Sequence, residues 1–290
     1  VLVSSFALIL PLVLGLAGPA AAAPSLPDAP GSPPVGAPPD TDQAYTDRIV
    51  AELQAQDPDA AALFAQAAAA RDLGQLSRAG DLYAQVTQLQ PTLDHAWRRH
   101  CTVLQEAGLR DEALPRCEQA LALSPRSENQ VSLAYVLLDV PSGVAATASD
   151  RARARELLVA ARSQAPDDPM NARLRCHLAM EEDDLELLRA CVADLERLAP
   201  HHVMTGFHAW ALAYREGRWN DALDALDQAQ AAGMPAMDAD SFRRLTRLAR
   251  PWYLRWGPAL GVGATLGLLT LGLGRALRGR ARQRMPTNRA

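Results

Sequence analysis

The chain has no lysine; all 29 of its basic residues are arginine. Aromatics make up only 5% of its residues, and it holds four cysteines and six histidines. It has no G-x-x-x-x-G-K-[ST] loop to cradle phosphates and no G-x-G-x-x-G turn for a dinucleotide. Nor does it have an H-E-x-x-H pair for zinc or a G-x-S-x-G nucleophile elbow. No C-x-x-C occurs, which argues against a zinc framework. His201 and His202 are adjacent, a spacing that cannot hold one metal without further ligands. The acidic run Glu181, Glu182, Asp183, Asp184 lacks the looped spacing that Ca²⁺ requires and is expected as a solvated turn between helices. No catalytic set, metal or cofactor is implied. The net charge of −4 conceals a split: residues 275–290 carry six Arg and no acid, so the remainder sums to −10. An acidic body argues against nucleic acid as a partner.

What the sequence does have is alanine, leucine and a ladder of prolines. Pro91 and Pro125 are 34 apart, and so are Pro166 and Pro200. Pro58 lies 33 before Pro91, Pro235 lies 35 after Pro200, and Pro125 to Pro166 is 41, one period plus seven. Inside the units, Gly74, Ala79, Tyr83 and Pro91 are matched by Gly108, Ala113, Ala120 and Pro125, and by Gly217 and Ala222 ahead of Pro235. Glycine permits a turn with positive φ, small alanines let two helices approach closely, and proline ends the second helix. Trp97 is expected to fill the space between its hairpin and the neighbour. These residues, with Asp94–Pro125 as the clearest unit, resemble the tetratricopeptide repeat, a helix–turn–helix unit of about 34 residues. The resemblance covers about residues 58–235 and gives about five repeats, with units 127–166 and 168–200 degenerate. It implies an all-α fold, a right-handed TPR-like solenoid of helical hairpins, since one hairpin cannot bury its apolar face alone.

The flanks read differently. Residues 1–23 are an apolar run ending in small residues, as in a cleavable signal peptide or an uncleaved anchor, although the charged n-region is missing. Residues 24–41 are rich in proline and poor in apolar side chains, as in a disordered spacer. Within 42–250, Tyr45, Ile49 and Leu53 share one face of a helix expected to pack ahead of the first repeat. The seven extra residues of the third unit are placed near 139–149, where Pro141 and Gly143 break a helix. Beyond Pro235, Phe242, Leu245 and Leu248 are expected to close the end of the solenoid. Residues 257–274 carry no charge; as a helix they would cover about 27 Å, close to the hydrocarbon thickness of a bilayer. With Trp252, Tyr253 and Trp256 before them, residues 251–274 read as an interface segment and one membrane span. Gly257, Gly261, Gly263 and Gly267 in that span offer a face for self-association. The signal peptide would place the repeats outside the cytoplasm, and the 275–290 tail within it.

The resemblance also assigns candidate sites. In the 34-residue register Cys101 and Cys117 face one another across one hairpin, and Cys176 and Cys191 across another. They are either two disulfides or four small buried thiols, with disulfides favoured in an exported protein. The first helix of each unit would line a concave groove. The lining positions are Phe64 and Arg71; His95, Arg98 and Gln105; Arg173 and His177; and Phe207, Tyr214 and Arg215. Arginines with aromatics suit an unidentified peptide or protein partner. The asparagines that a carboxylate clamp of this family needs are missing. The expectation is a non-catalytic scaffold or adaptor of a bacterial cell envelope. The alternatives are a structural subunit of a membrane complex, assembled through the span and the Arg tail, and an enzyme, for which no residues converge.

Overall fold

A computed structural model describes residues 41–140 and 146–250. Residues 1–40 and 251–290 lie outside it, and with them nearly all of the segments expected as signal peptide, spacer, span and tail. Among the described residues there are twelve helices and no strand. A lone helix, α1 (Thr41–Gln54), precedes five hairpins. These are α2 (Pro58–Asp72) with α3 (Leu76–Leu89), and α4 (Asp94–Glu106) with α5 (Arg110–Leu123). Next come α6 (Ser127–Leu137) with α7 (Ala148–Gln164), α8 (Pro169–Glu182) with α9 (Leu185–Leu198), and α10 (Val203–Arg215) with α11 (Trp219–Ala231). The last helix is α12 (Ala236–Ala249). None of these helices is long and apolar enough to cross a membrane.

Each element follows from local chemistry. The prolines push the residue before them out of helical conformation. Gln90 (φ −126°), Ser124 (φ −152°), Ala165 (φ −134°) and Ala199 (φ −144°) accordingly cap the second helices of hairpins one to four. Pro58 and Pro169 instead stand at helix starts, where the missing N–H costs nothing, and Asp57 and Asp168 cap them. Within hairpins the first helix closes on a left-handed residue. Gly74 (φ 71°), Gly108 (φ 77°) and Gly217 (φ 72°) hold it in hairpins one, two and five. The amide that follows each left-handed residue donates back to the carbonyl five residues earlier: Gln75 to Ala70, Leu109 to Leu104, Arg218 to Ala213. In hairpin four Asp183 (φ 56°) takes the glycine's place, and Asp184 donates to Ala179 in the same way. Asp139 (φ 45°) does so after α6. The connection from α6 to α7 runs over residues 138–147, against two or three residues in the other hairpins, which accounts for the extra seven.

Consecutive helices pack throughout, and the first helices also pack on one another, α4 on α6, α6 on α8 and α8 on α10. The apolar interior is strung along the array in successive clusters rather than gathered into one, as nearest-neighbour stacking dictates. Ala79, Ala113 and Ala222 are fully buried at the close approach within their hairpins. At Gly206 of α10 a Cβ would lie 2.8 Å from the Ala229 amide nitrogen and 2.9 Å from the Ala225 carbonyl oxygen, so α10 and α11 touch backbone to side chain there. The cysteines are joined as two disulfides, Cys101–Cys117 across α4 and α5 and Cys176–Cys191 across α8 and α9, with Cα atoms 5.3 and 5.5 Å apart.

Two expectations need correction. Trp97 is only half-buried, and its indole N–H donates to the Pro91 carbonyl at 2.9 Å, bracing the turn before α4 instead of filling a gap between hairpins. At the C-terminal end Phe242 does pack on α10, but Leu245 (41% exposed) and Leu248 (66%) point away. The α12 residues buried against the last hairpin are Ala239 and Thr246. Helical periodicity sets this, because Leu245 and Leu248 lie on the far side of the helix from Ala239.

Candidate partner-binding face

The inner layer is made of the first helices, α2, α4, α6, α8 and α10, and the groove residues expected from the sequence all lie on them. The structure divides them into three groups.

The first group is absorbed by the core and by the chain's ends. Phe64 is fully buried and meets Tyr83 edge to face at 5.4 Å, so it cannot line a groove. Phe207 and Tyr214 belong to an aromatic cluster that joins α10 to α12. Phe207 lies 5.5 Å from Phe242, and Trp210 lies 4.5 Å from Phe242 and 5.6 Å from Tyr214. The Trp210 indole donates to Thr246 Oγ1 at 3.0 Å and ties the cluster to the last helix. His95 is covered by α1. Its Nδ1 is 2.5 Å from the Tyr45 hydroxyl, and its Nε2 is 3.2 Å from the Arg126 guanidinium. Arg126 can only donate, so Nε2 accepts, and the proton of the neutral ring sits on Nδ1. Burial drives the His95 pKa down to about 4, with Arg98, Arg126 and Arg48 adding to the effect and Asp94 opposing it.

The second group staples one hairpin to the next. Arg71 holds Glu106 with two bonds, Nε to Oε2 at 3.1 Å and Nη2 to Oε1 at 2.7 Å. Gln105, 1% exposed, donates to Asp139 at 2.8 Å. Arg215 donates to the Met180 carbonyl at 3.0 Å and pairs with Asp183 at 3.0 Å. These three occupy matching places near the ends of α2, α4 and α10. Their partners lie about one repeat away, so the residues fix the stacking of neighbouring hairpins and are not open to a ligand. Sequence periodicity does not reveal this, because a stapling arginine and a free one look alike.

The third group is open. Arg98 is only partly so: it lies over the Tyr45 ring of α1, 5.0 Å from its centroid, and has no ion pair with any described residue. Arg173 is half-buried and makes no hydrogen bond or ion pair with any described residue. Burial lowers its pKa, and nearby Tyr135 opposes this. His177 is 3.3 Å from Glu181, and its pKa is lowered, first by burial. Two neighbours escaped the sequence reading. Tyr135 of α6 has its phenol pushed up to about 12 by burial and then by Glu106. His208 of α10 is 1% exposed, and neither of its ring nitrogens has a partner. Burial brings its pKa down to about 3, helped by His177, Arg173 and His202. No glycine marks the register of the unit that holds Tyr135, and nothing in the sequence sets His208 apart from the other five histidines.

α6, α8 and α10 thus bring Tyr135, Arg173, His177 and His208 together. The cluster carries one full positive charge with no partner, next to histidines kept neutral by burial. Such a place can accept an anionic or hydrogen-bonding group. No nucleophile with an activating base is associated with it.

No family model and no curated protein sequence matches the chain. Among solved structures the APC/C hetero-tetramer Cut9–Hcn1 superposes with a TM-score of 0.58 at 15% identity, over 71% of this chain and 40% of that one. TTC0263, a TPR protein of Thermus thermophilus, gives 0.52 at 15% identity over 71% of this chain and 99% of its own. A tetratricopeptide repeat protein from Parabacteroides merdae gives 0.52 at 12% identity over 71% and 79%. The described residues therefore have the fold of a tetratricopeptide-repeat solenoid, an all-helical stack of hairpins.

Proposed function

We propose that this chain is a non-catalytic interaction scaffold of a bacterial cell envelope, held at a membrane by residues 257–274. On this reading it takes a protein or peptide segment against the inner face of α6, α8 and α10. The observation that carries it is Arg173, a guanidinium on the inner layer without a hydrogen-bond or ion-pair partner among the described residues. A buried or half-buried charge is costly unless paired, and a carboxylate brought by a partner would supply the pair. The fold favours the reading because repeat solenoids present extended inner surfaces. The anchoring rests on the sequence: the uncharged run 257–274, the apolar run 1–23 and the Arg-rich tail 275–290.

An array of short peptides probed with the oxidised, purified protein and with its Arg173→Gln variant tests the proposal. Binding should require an acidic residue in the peptide and should weaken at least tenfold in the variant, in line with about 1.5–3 kcal/mol for a charge-assisted bond. Equal binding by both proteins, with circular dichroism showing both folded, would move the function away from this face.

A further inference from the structure

The outer side of α12 is not used by the solenoid. Ala239 and Thr246 face α10 and α11, and Arg243 is held against Asp227, Asp240 and Gln230. The opposite side exposes Met237 (79%), Leu248 (66%) and Leu245 (41%), with the exposed Arg244 alongside. Large apolar side chains in a row beside an arginine are the pattern of a helix lying in a lipid–water interface. Two features of the sequence point to the same occupant. Residues 1–235 carry 31 acids and 18 Arg, whereas residues 243–290 carry eleven Arg and no acid, so the charge reverses within α12. Only residues 251–256 separate Arg250 from the uncharged run at Gly257. Six residues reach at most about 20 Å, so a span at 257–274 keeps the end of α12 at the bilayer surface.

We propose that the outward face of α12, with Met237, Leu245 and Leu248 among the acyl-chain ends and Arg244 at the phosphates, lies against an anionic bilayer. The inference rests on the membrane anchoring proposed above. It adds that the last hairpin is docked on the lipid, so the solenoid has a set orientation instead of swinging on its linker. Arg244 makes the contact depend on anionic headgroups.

The test uses the full chain in vesicles with its disulfides intact, so that only an introduced thiol is labelled. A fluorophore is placed at Met237→Cys, Leu248→Cys, Val159→Cys or Leu268→Cys. Each is challenged with nitroxide lipid and with aqueous iodide. Labels at 237 and 248 should be quenched by the lipid and shielded from iodide, while a label at the exposed Val159 of α7 shows the reverse. In vesicles with anionic lipid, Arg244→Gln should weaken the partition of this face about fivefold. Three results overturn the proposal. One is iodide quenching at 237 and 248 with lipid quenching at 268, which leaves the anchoring intact. Another is shielding from both quenchers, which means that protein covers the face. The third is contact that is indifferent to lipid charge. If instead 268 is not quenched by lipid while 237 and 248 are, the anchoring fails and the docking of α12 stands.

Discussion

Lowering the pH from 7 to 5 should cost this solenoid much of its stability, and three histidines set the size of the effect. His95, His100 and His208 are 8%, 6% and 1% exposed. Burial holds His95 and His100 at about 4 and His208 at about 3, against 6.5 for a free imidazole. All three folded-state values are depressed, so in this window the unfolded chain binds protons that the folded chain refuses. Stability is complete above pH 6.5, declines as the pH falls below it, and stops declining only near the folded values. Linkage gives about 2 kcal/mol per histidine between pH 7 and 5, or about 6 kcal/mol together. The lowered carboxyls of Asp57 and Glu216 do not contribute here, because they lose stability only below the ordinary carboxylate range. The raised Asp168 works weakly in the opposite direction. Urea unfolding followed by circular dichroism should show a midpoint about 2 M lower at pH 5, for an m-value of about 2–3 kcal/mol/M. His208→Leu should remove about a third of the difference, since His208 supplies one of three similar terms. The reasoning is refuted if the ring protons of these histidines titrate near pH 6.5 in the folded protein, or if the midpoint is the same at both values.

Other perturbations have definite signs. Gly206→Ala should destabilise by about 1–3 kcal/mol, because the new methyl meets backbone atoms that cannot move aside; thermal melting reads it. Asn129 is fully buried and donates to Asp94 at 2.8 Å, to the Ala120 carbonyl at 3.1 Å and to the Ser124 carbonyl at 2.8 Å, joining α6 to the preceding hairpin. Asn129→Ala should therefore cost about 1–3 kcal/mol in urea unfolding, because those bonds are lost and the Ser124 carbonyl loses its donor, while Asp94 keeps Arg126 and the Ala120 carbonyl keeps the Ser124 amide. Reducing the disulfides should cost about 3 kcal/mol for each bridge, as loops of about 15 residues predict. Urea midpoints with and without reductant, compared with Cys101→Ala and Cys176→Ala, apportion the loss.

The fold was readable where local chemistry repeats. A glycine with positive φ, a small residue five positions on and a closing proline each enforce one step of a hairpin. They mark hairpins one, two and five, and period alone carries the third and fourth. In those two the left-handed position is held by Asp139 and Asp183, which tolerate it well enough to fold but look like ordinary polar residues. The cysteine pairing was readable for the same reason, since two pairs fell in equivalent places of a known period. The partner face was legible only as a set of positions. Which of those side chains are engaged depends on contacts distant in sequence, such as Arg71 with Glu106, 35 residues away, and His95 with Tyr45, 50 residues away. A pattern of 34 residues says where such side chains stand and not what they hold.

This division limits the size of any ligand. At one end α1 lies over α4, with Tyr45 on His95 and beneath Arg98, so the inner face there is already covered by the chain itself. At the other end Phe207 and Tyr214 are committed to packing with Trp210, Phe242 and Trp219. The stapled pair Arg71–Glu106 and the Gln105–Asp139 bond close the positions between. What stays open is the width of three first helices, α6, α8 and α10. At about 8–10 Å between neighbouring axes, that width is about 20 Å. An extended chain rises about 3.3 Å per residue, so about six residues of a partner fit across it, with an acidic one opposite Arg173. Longer peptides should gain little affinity from their added residues. A partner that gains steadily up to twice that length must displace α1, and loss of the Tyr45–His95 contact on binding would reveal it.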